Sequence, residues 1–140
     1  MEFSGLALWA ENESKRPQWV RGTWRVDGAV IRRVSSECTA PAVGFIVPGM
    51  VDTHCHIGYS ATGSVSESEM EEQARATLAS GVTVVRDCGV PLDNSPAARA
   101  IGLHLIRCGR HVARPKRYMR DLPLDVEDQR ELPEVLASMA

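Results

Sequence analysis

Between Val47 and Cys108, strand-like and helix-like stretches follow one another, a pattern that leaves few architectures other than a parallel sheet with helical crossovers. Gly44 to Val47 leads through Pro48-Gly49 into an apolar strand that ends at a histidine pair. Ser66 and Glu69 have capping-box spacing, and Met70, Ala74 and Leu78 recur at four-residue steps before Gly81. That spacing predicts a helix over about 66–80. Val82 to Asp87 is a short apolar run with a polar end, suited to a buried parallel strand whose carboxy-terminal end enters a site. Ser95-Pro96 opens a second helical stretch ending near Gly102, and Leu103 to Cys108 reads as a third strand. A last helix is expected to start near Asp128 or at Pro133, since proline is tolerated in a first turn.

The first of these strands carries the chemistry. Its end reads Val-Asp-Thr-His-Cys-His-Ile-Gly from Val51 to Gly58. Side chains two apart on a strand share a face, so His54 and His56 point one way and Cys55 the other. Two neutral imidazoles side by side suit one divalent ion, zinc first on ligand chemistry, with room left for further ligands and water. Asp52 has the same parity, which fits either a role behind the histidines or an inward polar residue with its own hydrogen bonds.

The stretch from Val47 to Gly58, with its Pro-Gly turn, apolar pair, aspartate and two histidines, resembles the first-strand signature of the metal-dependent amidohydrolase superfamily. Gly81 to Gly89 (GVTVVRDCG) is similar to the second strand of its imidazolonepropionase-like and prolidase-like members. The resemblance runs from about Asp27 to the end and is strongest at 47–58 and 81–91. It implies an α/β chain holding the start of a (β/α)8 barrel, about three βα units over 48–140. Before these, over 1–47, it implies strands of a small β-sandwich. It also implies hydrolysis of carbon–nitrogen bonds other than peptide bonds by metal-activated water, with a small amide or lactam as substrate, His54 and His56 as metal ligands and zinc as the expected ion. The family completes its site with a carboxylated lysine or glutamate, two further histidines and an aspartate on the last strand, and no stretch here matches those positions. No catalytic residue and no organic cofactor site is therefore assigned.

A closed barrel of this type takes about 250 residues, and the chain has 140. The expectation is an incomplete, truncated and inactive portion of a hydrolase. The alternative is a non-catalytic fragment or weak metal-binding protein without hydrolase activity of its own.

Within 1–47, Leu6, Leu8, Trp19, Trp24, Val26, Val30 and Ile31 follow a strand-like alternation, and Asp27-Gly28 suits a hairpin turn. The chain is 44% hydrophobic and 24% charged with net charge −2, which advertises neither nucleic acid nor membrane as partner. With no basic, apolar leader and no run of about 18 apolar residues, a cytoplasmic location is expected. Cys38, Cys55, Cys88 and Cys108 lack both CxxC spacing and disulfide density, so reduced, mostly buried thiols are expected. Arg86 and Asp87 either meet a substrate or pair with each other, and His104 and His111 read as surface or core histidines. The seven basic residues from Arg99 to Arg120, followed by acidic ones from Asp121 to Glu134, read as a solvated, mutually compensating surface.

Overall fold

The computed structural model describes residues 1–116 and 118–139. It is a mixed α/β structure with several sheets, and the chain divides into two compact units, Met1–Pro48 and Gly49–Ala140.

The first unit is a four-stranded sheet built from β1 (Glu2–Trp9), β2 (Gln18–Asp27), β3 (Val30–Ser35) and β4 (Ala42–Ile46), in the order β3-β2-β1-β4. Neighbours are antiparallel except β1 and β4, which run parallel. The β2–β3 turn forms where Asp27-Gly28 stands, with Gly28 at φ +60, a conformation that costs glycine little. Burial departs from the simple alternation: Trp24 and Ala7 are the buried apolar residues, whereas Trp19 is half exposed. Trp9 covers Trp24, their ring centres 4.9 Å apart. A polar knot closes the sheet, because buried Thr23 Oγ1 lies 3.0 Å from Ser4 Oγ and accepts from the Thr39 N–H at 2.9 Å, pinning the link into β4.

The second unit is centred on a parallel sheet of β5 (Met50–Cys55), β8 (Val82–Asp87) and β9 (His104–Arg107), in the order β5-β8-β9. A short hairpin, β6 (Tyr59–Ser60) with β7 (Gly63–Ser64), and α1 (Glu67–Ala79) lie between β5 and β8, while α2 (Ser95–Ala100) connects β8 to β9. The Ser66 hydroxyl accepts from the Glu69 N–H and the Glu69 carboxyl accepts from the Ser66 N–H, so two orphan donors at the start of α1 are satisfied reciprocally. From α1, Met70 and Ala74 bury one face against Ile57, Val85 and Leu103, joined by Ala98 of α2. Leu78, Cys55 and Leu105 pack at the margin of this core. Gly81, at φ +92, stops the helix, and its carbonyl receives the Met50 N–H at the start of β5. The two helices thus cover one face of the sheet. His54, Arg86, His104 and Ile106 are exposed.

After β9, two-residue strands β10 (Val112–Ala113) and β11 (Leu124–Asp125) pair in parallel, and a 3-10 turn (Gln129–Glu131) leads into α3 (Leu132–Ala137). The region read as a solvated charged surface proves to carry core residues: Leu122 is fully buried with Tyr59 and Val90, and Val126 is also buried. The four thiols are all free, yet Cys38 and Cys108 are exposed and Cys55 and Cys88 only partly covered, which corrects the expectation of mostly buried cysteines. Cys108 directly follows β9, and Cys38 lies in the link between β3 and β4.

Candidate metal centre

The structure brings His54 and His56 together at the carboxy-terminal end of β5. Their ring centres are 5.3 Å apart and their planes meet at 73°. The two are not equivalent, because the strand ends at Cys55 and His56 stands one residue beyond it. His54 is exposed, and its backbone N–H donates to Asp52 Oδ1 at 3.0 Å, so Asp52 braces the backbone of the strand end.

His56 is held by its ring. Nδ1 lies 3.1 Å from the Gly89 carbonyl oxygen. A carbonyl can only accept, so the neutral ring carries its proton on Nδ1 and keeps the Nε2 lone pair free. Metal-bound histidines are commonly oriented by such a bond to the second nitrogen. The backbone around the ring is fixed on both sides. Cys88 N–H donates to the Cys55 carbonyl at 2.9 Å, and Tyr59 N–H to that of His56 at 3.2 Å. From α1, Gln73 clamps the next turn: its Oε1 accepts from the Gly58 N–H at 2.7 Å and its Nε2 donates to the Tyr59 carbonyl at 3.2 Å.

Asp87 and Arg86 do not pair. Asp87 is completely buried, accepting from the Gly89 N–H on Oδ1 and from Asn94 Nδ2 on Oδ2, each at 2.8 Å. Arg86 is exposed, with Nη1 3.7 Å from Cys88 Sγ. His104 is exposed on β9, and His111 stacks on Tyr118 at 4.4 Å between ring centres. Neither joins the pair, because among the described residues no three His, Cys, Asp or Glu side chains converge on a point that could hold an ion.

The donor set fits a divalent ion in kind and is short in number. Two imidazoles bound at about 2.0–2.1 Å to one tetrahedral ion have ring centres roughly 5 Å apart, close to the spacing seen. Catalytic zinc sites use three protein ligands and structural sites four, so two imidazoles alone fall short of either. Sequence spacing located these two residues. It did not point to Gln73, Gly89 or Asn94, which reach the site from α1 and the loop after β8; Asn94, in the run Asp93-Asn94-Ser95-Pro96, looks locally like an ordinary helix start.

No family model matches the sequence. The chain is 39% identical to uncharacterized proteins of Mycobacterium bovis and Mycobacterium tuberculosis, over 84% of its own length and 32% of theirs. It therefore spans about a third of the length of the curated relatives it matches. Among solved structures it is similar to an uncharacterized protein with a TM-score of 0.59 at 16% identity, covering 99% of this chain and 43% of that one. It is also similar to molinate hydrolase with a TM-score of 0.53 at 16% identity, covering 98% of this chain and 36% of the enzyme. Likeness at that identity is likeness of fold alone.

Proposed function

We propose that this chain carries the first metal-binding strand of a metal-dependent hydrolase of the amidohydrolase type, which acts on carbon–nitrogen bonds other than peptide bonds. The observation that carries the reading is the histidine pair, 5.3 Å between ring centres, with one imidazole already committed through Nδ1 to a backbone carbonyl. The fold likeness to molinate hydrolase supports the hydrolase class. In this reading 49–140 is the opening βα portion of a barrel, and the ligands and proton-handling group that complete the centre come from other strands. A divalent ion there would supply activated water and polarise the carbonyl under attack. His54 and His56 hold it and Asp52 stiffens the strand end beneath them. The substrate class, a small amide or lactam, follows from the sequence resemblance.

A narrower reading of the 140 residues by themselves is favoured by the two-donor inventory: a weak ion binder that hydrolyses nothing. The experiment is a titration of the metal-free chain with zinc, followed by the imidazole resonances of its four histidines. His54 and His56 shift together and saturably, His104 and His111 do not, and either His54→Ala or His56→Ala abolishes the response. No amide or lactam hydrolysis accompanies binding. Zinc responses centred on His104 or His111, or unchanged binding in both variants, would remove the reading. Hydrolysis by the pure chain that disappears in His54→Ala would instead show the site to be self-sufficient.

A further inference from the structure

We propose that Asp87 and Asn94 are positioning residues for His56, setting its tautomer and ring direction through the backbone of Gly89 and the carbonyl of Ile57. The inference rests on the reading of His56 as an ion ligand and extends it to two buried side chains that touch no ion.

The chain of contacts is continuous. Asp87 Oδ1 takes the Gly89 N–H at 2.8 Å, which anchors the amino side of the residue whose carbonyl, in the next peptide unit, meets His56 Nδ1 at 3.1 Å. No other residue suits this position: φ +106 favours glycine, and a Cβ there would stand 2.4 Å from the His111 backbone nitrogen. Asn94 closes the circuit. Its single amide group donates one hydrogen to Asp87 Oδ2 and the other to the carbonyl of Ile57, the residue after His56, both at 2.8 Å. Asp87 and Asn94 have no measurable exposure. The His56 ring and its backbone are therefore tied to one buried carboxyl–amide pair.

Core packing needs no such arrangement, since well-packed apolar residues of similar volume often serve as well as buried charged groups. Among the described residues the Asn94 Oδ1 has no partner, so the amide is oriented by its two donated bonds. Without them the Gly89 carbonyl is held less firmly against Nδ1; a free neutral imidazole of histidine favours Nε2–H, the tautomer that hides the lone pair the ion requires.

The test uses the full chain, metal-free, at a pH above the imidazole range, with long-range nitrogen–proton spectra reporting the His56 tautomer. The parent shows Nδ1–H as the dominant form. Asp87→Asn keeps the volume but sets an NH2 group against either the Gly89 N–H or the Asn94 NH2, and Asn94→Ala removes both donated bonds. Each moves His56 toward Nε2–H and leaves His54 unchanged. Gln73→Ala, which loosens the neighbouring turn through Gly58 and Tyr59, leaves the His56 tautomer in place and so separates positioning from general loosening. Calorimetric titration with zinc alone then reads about tenfold or greater loss of affinity in Asp87→Asn and Asn94→Ala, the usual scale for residues behind a metal ligand. Should Asp87→Asn fail to fold, Asn94→Ala carries the test. An unchanged tautomer and unchanged affinity in the folded variants overturn the inference alone; absence of zinc binding by the parent chain overturns the ion-ligand reading and the inference with it.

Discussion

Cys55 lies between the two histidines in sequence but faces the other way, into the margin of the core formed by Ile57, Val85 and α1. Burial first, then the charge of Asp87 with smaller contributions from Asp52 and Cys88, pushes its thiol up to about 11, against the Ile57 backbone N–H, which lowers it. The thiolate is the reactive species, so at neutral pH Cys55 is the slow cysteine even though it adjoins the candidate centre. Alkylation with iodoacetamide followed by peptide mass mapping is expected to label exposed Cys38 and Cys108 first and Cys55 last. Labelling of Cys55 as fast as Cys108 would mean that the β5 end opens readily. The sign for stability follows from the same burial: a folded-state value above the ordinary thiol value of 9.0 makes the protonated form the one that folding favours. That contribution is complete below about pH 9 and is lost as pH rises toward about 11, because the unfolded chain releases the proton first. At this scale the sequence showed which two histidines share a face. It could not show what holds the second of them, since the Gly89 carbonyl is brought to His56 by the pairing of two strands and not by any local spacing.

Among the elements, α1 shows how a local signal becomes a tertiary one. Its start is written in Ser66 and Glu69, its buried face in Met70 and Ala74, and its end in Gly81, and the helix forms at Glu67–Ala79. The β8 strand is as plain, because Val82–Asp87 coincides with the apolar run and its polar end. Where sequence and structure part is in the stretch after β9. Charge there masked Leu122 and Val126, single apolar residues without a period, and only contact with Tyr59 and Val90 from other elements makes Leu122 a core residue. The α1 start is testable. Ser66→Ala is expected to destabilise the unit by about 1 kcal/mol, the usual cost of losing an N-cap side chain. Hydrogen bonds from the Ser66 backbone and hydroxyl hold the Glu69 carboxyl below its ordinary value. A depressed carboxyl contributes stability above its unfolded value of 4.5 and loses it as pH falls through the folded one. The gap between parent and variant in urea unfolding should therefore be full near neutrality and smaller once the carboxyl is protonated. A gap that does not change with acid would deny the capping box its role.

At the scale of the whole molecule, the three-stranded sheet poses a physical problem of its own. Parallel sheets are normally covered on both faces, yet α1 and α2 cover only one face here. Among the described residues β5 and β9 each have a single strand neighbour. Apolar residues stand beside His54, Arg86 and His104 in the exposed remainder: Val51 is 60% exposed, and Met50 and Ile106 are 50% exposed. Unpaired strand edges bordered by such side chains template pairing with other chains. The 140-residue chain by itself is accordingly expected to self-associate, with sedimentation velocity showing a weight-average mass that climbs with concentration. Lysine at the two most informative positions separates edge pairing from general instability. Val51→Lys with Ile106→Lys places charge on both strand edges without touching the core of Ile57, Met70 and Val85. This double variant should sediment closer to a monomer while its urea midpoint stays within about 0.5 kcal/mol of the parent, as expected for surface substitutions away from special features. A parent chain that remains monomeric at every concentration and unfolds in one sharp, reversible transition would show that the sheet is stable with its edges free, and the barrel reading of 49–140 would have to be given up.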